Sequence, residues 1–219
     1  MKNRSGLSAA AKLIFILSLC IMLYSAVQII KAPVEARKAL MTWEKKREEA
    51  GTTLPAGNET PLAEGMISRP AEAINAAASY LEGEVIGEIY FPKLDTRAAI
   101  LAGTGQASLK KGAGHDEGSA AIGSSGNSVL AGHRDTVFRG LGDLEQGDLV
   151  ELETADGKFI YEITGNRIVD GEARGVIKPS KEAVLTLITC YPFYYVGPAP
   201  DRYLLSAKLA ASQPAARQR

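Results

Sequence analysis

Three side chains in the second half of the chain have the chemistry needed for acyl transfer: the thiol of Cys190, the imidazole of His133 and the guanidinium of Arg202. A thiolate can attack a peptide carbonyl, and a fixed cation can stabilise the oxyanion that develops. An imidazolium can protonate the leaving amine. These residue types therefore favour covalent catalysis on a carbonyl substrate, provided that the fold brings them together.

Each of the three residues lies at the end of an expected strand. Cys190 directly follows one apolar segment, Arg202 opens the next, and His133 ends an earlier one. If the first two segments pair as antiparallel neighbours, Cys190 and Arg202 meet at one rim, because strands in a sheet are only about 5 Å apart. The pattern predicts that all three groups converge at one opening of a β-fold.

Ordinary structural interpretations of these residues stay open. A lone cysteine at a strand end is often inert core or rim. A histidine followed by Arg-Asp can cap a turn, and an arginine is often a surface ion-pair partner. The second histidine of the folded part, His115, lies between Gly112 and Asp116 and is interpreted as a loop residue rather than a catalytic one.

The distribution of glycine predicts an all-β sandwich or barrel from Gly83 onward. Seventeen of the 22 glycines fall between positions 83 and 175, and they separate short apolar segments. The clearest element is a hairpin over 149–164, where Asp156-Gly157 joins two stretches of alternating polarity. Further strands are expected at Val85–Phe91, 128–132, 184–189 and 203–209.

Composition excludes several classes of function. Lys and Arg total 25 and Asp and Glu total 25, so the chain lacks the basic excess of a nucleic-acid binder. Only one Cys and two His lie outside the apolar N-terminal segment, which is too few for a zinc site with four Cys or His ligands. No P-loop or dinucleotide-binding glycine motif is present, and no acidic cluster indicates a calcium site. We therefore expect no cofactor and no metal.

The N-terminal segment predicts a membrane anchor. Residues 13–30 are uncharged and mostly apolar, which at about 1.5 Å per residue spans roughly the hydrocarbon core of a bilayer. Basic residues precede this segment, so the N-terminus is expected in the cytoplasm and the remainder outside the cell. A cleaved signal peptide is the alternative, but its apolar region would be shorter, and residues 25–27 form a poor cleavage site.

Four regions follow from these observations. The helix-favouring composition of residues 32–50 predicts a solvated helix, a linker rich in Pro and Gly follows, and the alanine-rich segment 71–82 predicts a second helix. The regions are a cytoplasmic N-terminus with its transmembrane anchor (1–31), an extracellular stalk and linker (32–83), a catalytic β-barrel (84–209) and a polar C-terminal tail (210–219).

Three motifs in the β-rich part resemble one known family. Thr-Leu-Ile-Thr-Cys at 186–190 resembles the TLxTC signature of sortases, the membrane-anchored cysteine transpeptidases of bacterial cell surfaces. Leu-Ala-Gly-His-Arg-Asp at 130–135 resembles the segment with the sortase histidine, and Asp-Arg-Tyr at 201–203 the segment with its arginine. The resemblance covers residues 84–209 and implies an eight-stranded sortase β-barrel with short helices.

The resemblance also implies a role for each motif residue. Cys190 is expected to cleave a sorting motif after its Thr and to hold the acyl-enzyme, with His133 as acid and base. Arg202 is expected to orient the substrate and stabilise the oxyanion. An amine on a peptidoglycan precursor or on another surface protein would resolve the thioester. Three further residues are expected to bind substrate: Thr189, Ile188 and Tyr203.

The subclass is indicated by the segment after Cys190. Residues 191–193 and 195–200 resemble class D sortases, which favour a sorting motif of the LPxTA type. The chain shows neither the Asp-Pro-aromatic lid motif nor the C-terminal membrane span of pilin-polymerising class C enzymes, so attachment of individual proteins is expected. A housekeeping sortase acting on LPxTG, a hydrolytic secreted cysteine peptidase and a non-catalytic tethered β-module stay open as alternatives.

Overall fold

Eight strands close into a β-barrel in the computed structural model, which describes residues 4–52, 80–195 and 197–215. Around the barrel the order is β1-β2-β3-β4-β7-β8-β6-β5. The strands are β1 Val85–Phe91, β2 Thr96–Ala102, β3 Ala113–His115, β4 Gly126–Ala131, β5 Leu149–Thr154, β6 Gly157–Asp170, β7 Ala183–Tyr191 and β8 Asp201–Pro214. The expectation of an all-β barrel is confirmed.

The helices comprise one long element and three short ones over the same residues. They are α1 Arg4–Thr52, α2 Gln106–Leu109 and the 3₁₀ helices Pro92–Leu94 and Leu141–Asp143. None of the described helices combines the length and the apolar character that crossing a membrane requires. Most of the helix expected at 71–82 lies outside the described residues, as does most of the preceding linker, and residues 80–82 are not helical.

The alternating strands build the barrel core. β1 begins and ends where the sequence predicts, and the hairpin pairs Thr154 with Gly157, so that Ala155 and Asp156 form its turn. One face of each strand supplies the interior, where the large side chains are 0–1% exposed. They include Ile89, Leu152, Tyr161, Leu185 and Leu205. Burial of these apolar side chains is the main force that closes the barrel.

The candidate site depends on β7, because this strand contains Cys190 and is held by its neighbours along both edges. It runs parallel to β4 and antiparallel to β8. β7 and β8 are both longer than expected: β8 continues to Pro214 rather than ending at Leu209, and β7 continues to Tyr191 rather than ending at Thr189. A strand paired on both sides has little freedom to slip, which keeps residues near its end in fixed register.

α1 packs against the barrel over its second half, so the prediction of a solvated helix at 32–50 is wrong for one helix face. Ala39 and Trp43, four residues apart, are each 5% exposed, and Ala39 packs against buried residues of β2. Lys46 Nζ donates to Glu84 Oε1 at 3.1 Å and to the Val85 carbonyl at 2.9 Å. Two apolar positions one helical turn apart are enough to dock a helix whose other faces stay polar.

β2 and β3 are not predicted from the sequence. β2 has no alternation of polar and apolar residues in its second half, because four consecutive residues at its end are buried. β3 has only three residues and pairs in parallel with β2 and antiparallel with β4. A strand this short exists because its neighbours offer hydrogen-bonding edges, which no local pattern reveals.

Candidate active site

Cys190 and Arg202 lie directly opposite each other on neighbouring strands. They are paired residues of antiparallel β7 and β8, and both side chains are half-buried. Side chains of directly opposed residues project from the same face of a sheet, about 5 Å apart at their base. Cys190 is a free thiol inside β7 rather than just after it, and one further residue of the strand follows.

The segment that leads to His133 lies along the opposite edge of β7 from β8. Parallel pairing sets Ala131 of β4 level with Ile188, and the Gly132 amide donates to the Ile188 carbonyl at 3.1 Å. His133 is the next residue, and its side chain is half-buried. β7, which carries Cys190, therefore has the strand of Arg202 along one edge and the segment leading to His133 along the other. The convergence of the three side chains stays a prediction.

The segment that carries His133 is held by a tight turn and a glycine. The Phe138 amide donates to the His133 carbonyl at 3.1 Å, and Phe138 is fully buried in the core. A Cβ at Gly132 would lie 2.6 Å from the rings and methyl groups of Phe138 and Val137, so only glycine fits there. The close approach packs the loop against the core directly before the imidazole.

Arg202 is oriented by its own turn. Its Nη1 donates to the carbonyls of Asp201 at 3.0 Å and Ala199 at 3.3 Å. A Cβ at Gly171 would come within 3.0 Å of the same nitrogen, so a glycine provides room for the guanidinium. Both hydrogen bonds recorded for this side chain in the described residues come from Nη1, and the fork has further N–H donors for a substrate.

An aromatic cluster supports the ends of β7 and β8 next to Cys190. Tyr191 stacks on Tyr203 with ring centroids 6.2 Å apart, and Phe193 meets both rings edge-on at 5.8 and 5.1 Å. Burial, followed by the neighbouring Tyr191 hydroxyl, raises the pKa of Tyr203 above its ordinary value. Three interlocking rings limit the motion of the two strand ends that carry the thiol and the guanidinium.

The expected substrate-binding residues divide between two faces. Ile188 is half-buried and shares the face of β7 on which Cys190 lies. Thr189 and Tyr203 are only 3% and 5% exposed and face the barrel interior with the alternate residues of their strands. This placement departs from the expectation of groove-lining side chains, because a side-chain period of two sets the neighbours of Cys190 and Arg202 on the opposite face.

Thr189 instead contacts the segment that carries the imidazole. Its hydroxyl donates to the Gly132 carbonyl at 2.7 Å. The bond joins β7, one residue before Cys190, to the backbone one residue before His133. Because the hydroxyl is buried, the bond is not replaced by one to water, so Thr189 helps to fix the distance between the two segments.

His115 is not a loop residue as expected. It is the last residue of β3, and its Nε2 is 3.0 Å from the Ala120 carbonyl and 3.4 Å from Ser119 Oγ. Both contacts connect it to the turn that follows β3. Across residues 4–52, 80–195 and 197–215, the structure brings no three His, Cys, Asp or Glu side chains into a group able to hold a metal.

Several contacts around the site are not predicted by any pattern in the sequence. Gly171 is one of many loop glycines, and its fit beside Arg202 depends on chain segments 30 residues apart. The aromatic residues at 191, 193 and 203 carry part of the family resemblance, but no sequence pattern predicts that their rings pack together. Arg134 was noted only as part of the motif around His133, yet its side chain makes three hydrogen bonds to a different segment.

Comparison with known proteins decides the family. A model of the sortase domain matches residues 89–210, more than half of the chain. The chain belongs to the sortase family. Sortase D of Bacillus subtilis (strain 168) is 38% identical over 173 residues, which are 78% of this chain and 81% of that relative. The sortase resemblance of the three motifs is thereby confirmed.

Solved structures of other sortases have the same barrel. The catalytic domain of B. anthracis SrtD is 41% identical, with a TM-score of 0.52, and the match covers 63% of this chain and 95% of that one. Clostridium perfringens sortase C, solved with the C-terminal cell wall sorting motif, is 27% identical, with a TM-score of 0.54, over 61% of this chain and 74% of that one. Sortases are cysteine transpeptidases that act on proteins with a sorting signal and on amine acceptors, and this sortase is an enzyme of that class.

Proposed function

We propose that this sortase cleaves a C-terminal sorting motif of the LPxTA type after its Thr and transfers the released acyl group to a cell-wall amine. The observation that carries the proposal is the pairing of Cys190 with Arg202 across β7 and β8, and the parallel pairing of β7 with β4, which leads to His133, supports it. The similarity to Sortase D of B. subtilis and to B. anthracis SrtD supports the class D assignment.

The proposed reaction assigns one step to each group. The Cys190 thiolate attacks the Thr carbonyl carbon, and the oxyanion that forms is stabilised by the Arg202 guanidinium. The C–N bond then breaks, and the His133 imidazolium donates its proton to the leaving amine. This leaves a thioester on Cys190 and a neutral imidazole. An incoming amine attacks the thioester and gives a proton to His133, and the thiolate leaves with the new amide bond formed.

The proposed organisation of the chain follows the sequence. Residues 1–31 hold the cytoplasmic end and a transmembrane anchor that contacts lipid through residues 13–30. Residues 32–83 form the connection and 84–209 most of the catalytic barrel, whose last strand continues to Pro214 within the expected polar tail 210–219. Lys12 and Lys31 flank the apolar segment on either side, and the basic N-terminal flank supports a catalytic domain outside the cell. The acceptor is proposed to be an amine of a peptidoglycan precursor, close to the membrane surface.

The decisive experiment compares two sorting peptides. The full chain in detergent is incubated with matched peptides that end in LPxTA or LPxTG, each with and without an acceptor amine, and products are identified by mass spectrometry. We expect faster cleavage of the LPxTA peptide, an amide product that depends on the amine, and a thioester on the peptide containing Cys190. Preference for LPxTG would overturn the class D assignment, and release of free acid regardless of amine would overturn transfer.

The residue roles have a separate test. Cys190→Ala is expected to abolish the thioester, and His133→Ala and Arg202→Ala to lower kcat/KM by about 10²–10⁴-fold while the far-UV spectrum stays unchanged. His115→Ala serves as the matched control, because its contacts are to its own turn. A loss as deep in His115→Ala as in His133→Ala would reassign the general acid and base.

A further inference from the structure

Arg134, the residue after His133, contacts a segment that is distant in sequence. Its Nη1 donates to the Pro192 carbonyl at 3.1 Å, and its Nη2 donates to the carbonyls of Tyr195 at 2.8 Å and Gly197 at 2.9 Å. Its guanidinium also lies 5.8 Å from the centroid of the Tyr195 ring. The side chain is half-buried, so these charge-assisted bonds are only partly screened by water.

The contacted segment is the connection between β7 and β8. It leaves β7 directly after Cys190 and Tyr191, and it enters β8 directly before Arg202. Arg134, next to His133, therefore binds the connection between β7, which carries Cys190, and β8, which carries Arg202. On the inner side of the same site, the Thr189 hydroxyl and the Gly132 amide join the His133 segment to β7. Arg134 supplies the corresponding link on the outer side.

The geometry of the contact favours arginine over other cations. Three carbonyls spread over six residues converge on two nitrogens of one planar fork. A lysine has its three N–H donors on a single nitrogen and cannot occupy both positions. The acceptors are neutral backbone groups, so the contact sets the shape of the connection rather than neutralising a charge.

We infer that Arg134 is a positioning residue for this site: it fastens the β7–β8 connection to the His133 segment and so holds the imidazole, the thiol and the guanidinium in register. The catalytic part of this inference rests on the proposed function, because it assumes that these three groups perform the transfer. A misplacement of about 1 Å can cost on the order of 10²-fold in rate when reacting groups are aligned by their supports.

The test compares Arg134→Gln and Arg134→Lys with Arg139→Gln in the full chain in detergent. Arg139 is exposed and lies in the same segment after His133, so its variant removes the same charge from nearly the same place. Hydrogen–deuterium exchange is measured on peptides covering 192–202, together with kcat and KM for the sorting peptide. Alkylation of Cys190, read on the 182–202 tryptic peptide, counts the competent sites.

We expect Arg134→Gln to speed exchange in the 192–202 peptides by about tenfold or more, because a restrained segment becomes locally open. We expect kcat per competent site to fall by about 10–100-fold with KM changed by less than about threefold. Arg134→Lys should recover part of the rate, and Arg139→Gln should resemble the wild type in both measurements. A purely structural role would lower the number of competent sites and leave kcat per site unchanged.

Two results would overturn the inference: unchanged exchange in Arg134→Gln, or faster exchange with an unchanged kcat. Equal losses in Arg134→Gln and Arg139→Gln would assign the effect to charge and also overturn it. Because exchange needs no substrate, a wild type that cleaves no sorting peptide refutes the proposed function separately, and the exchange result still decides whether Arg134 holds the connection.

Discussion

Replacing Thr189 by Val tests whether its hydrogen bond positions the His133 segment for catalysis, in addition to stabilising the fold. Thr189 is 3% exposed, and the substitution keeps its branched shape but removes the hydroxyl that donates to the Gly132 carbonyl at 2.7 Å. The carbonyl is left in the protein interior without this donor, which costs about 1–3 kcal/mol of unfolding free energy. Because Gly132 precedes His133, we also expect kcat/KM to fall by about 10–100-fold.

The same strand offers a matched control. Thr186 is 4% exposed, and its hydroxyl donates to Asn127 Oδ1 at 2.9 Å, away from the site. Thr186→Val should lose stability at the lower end of the same range, because water can replace the bond to half-buried Asn127. Its kcat/KM should stay within about twofold of the wild type, and Thr189→Ser, which keeps the hydroxyl, should retain most of the activity.

The assay combines urea denaturation with peptide transfer kinetics, and rates are normalised to the folded fraction. This normalisation removes the effect of stability from the rate. Equal kcat/KM values for the Thr189→Val and Thr186→Val proteins would show that the hydroxyl does not position the imidazole. A normal rate in Thr189→Val together with a lost rate in Thr189→Ser would point to the methyl group and refute the reasoning.

Two further predictions concern the barrel. Gly123 has φ +83°, and a Cβ there would lie 2.0 Å from the Phe159 ring. Gly123→Ala should therefore lower the unfolding free energy by about 2–5 kcal/mol through left-handed strain and overpacking. Gly147 has φ +92° but faces open space, so Gly147→Ala should lower it by only about 1–2 kcal/mol. Equal urea midpoints for the two variants would contradict this. Burial raises the pKa of Tyr161 to about 12, so the stability it contributes is complete below pH 10 and is lost as the pH rises to 12. Between pH 10 and pH 12 the wild type should lose about 2 kcal/mol more than Tyr161→Phe, and parallel pH profiles of unfolding would refute it.

Local sequence patterns predict the strands and turns whose own residues show a recognisable pattern, whichever segment they pair with. Both ends of β1 lie where the sequence predicts them, and the turn between β5 and β6 is predicted to within a residue by an Asp-Gly pair. The candidates Cys190, His133 and Arg202 are also proposed from sequence, because each combines a reactive type with the end of an apolar segment. These features depend on neighbours along the chain, and that information is local.

The tertiary structure alone decides which face each residue occupies and which segments touch. Thr189 faces inward because β7 continues past it with an unbroken two-residue period. The second half of α1 docks because Ala39 packs against buried residues of β2. Arg134 binds three backbone carbonyls, which every residue carries and which leave no mark in sequence. The sequence by itself determined the reactive groups and their order; their spacing in the site arises only when β4, β7 and β8 pair, because that pairing is a property of the closed barrel.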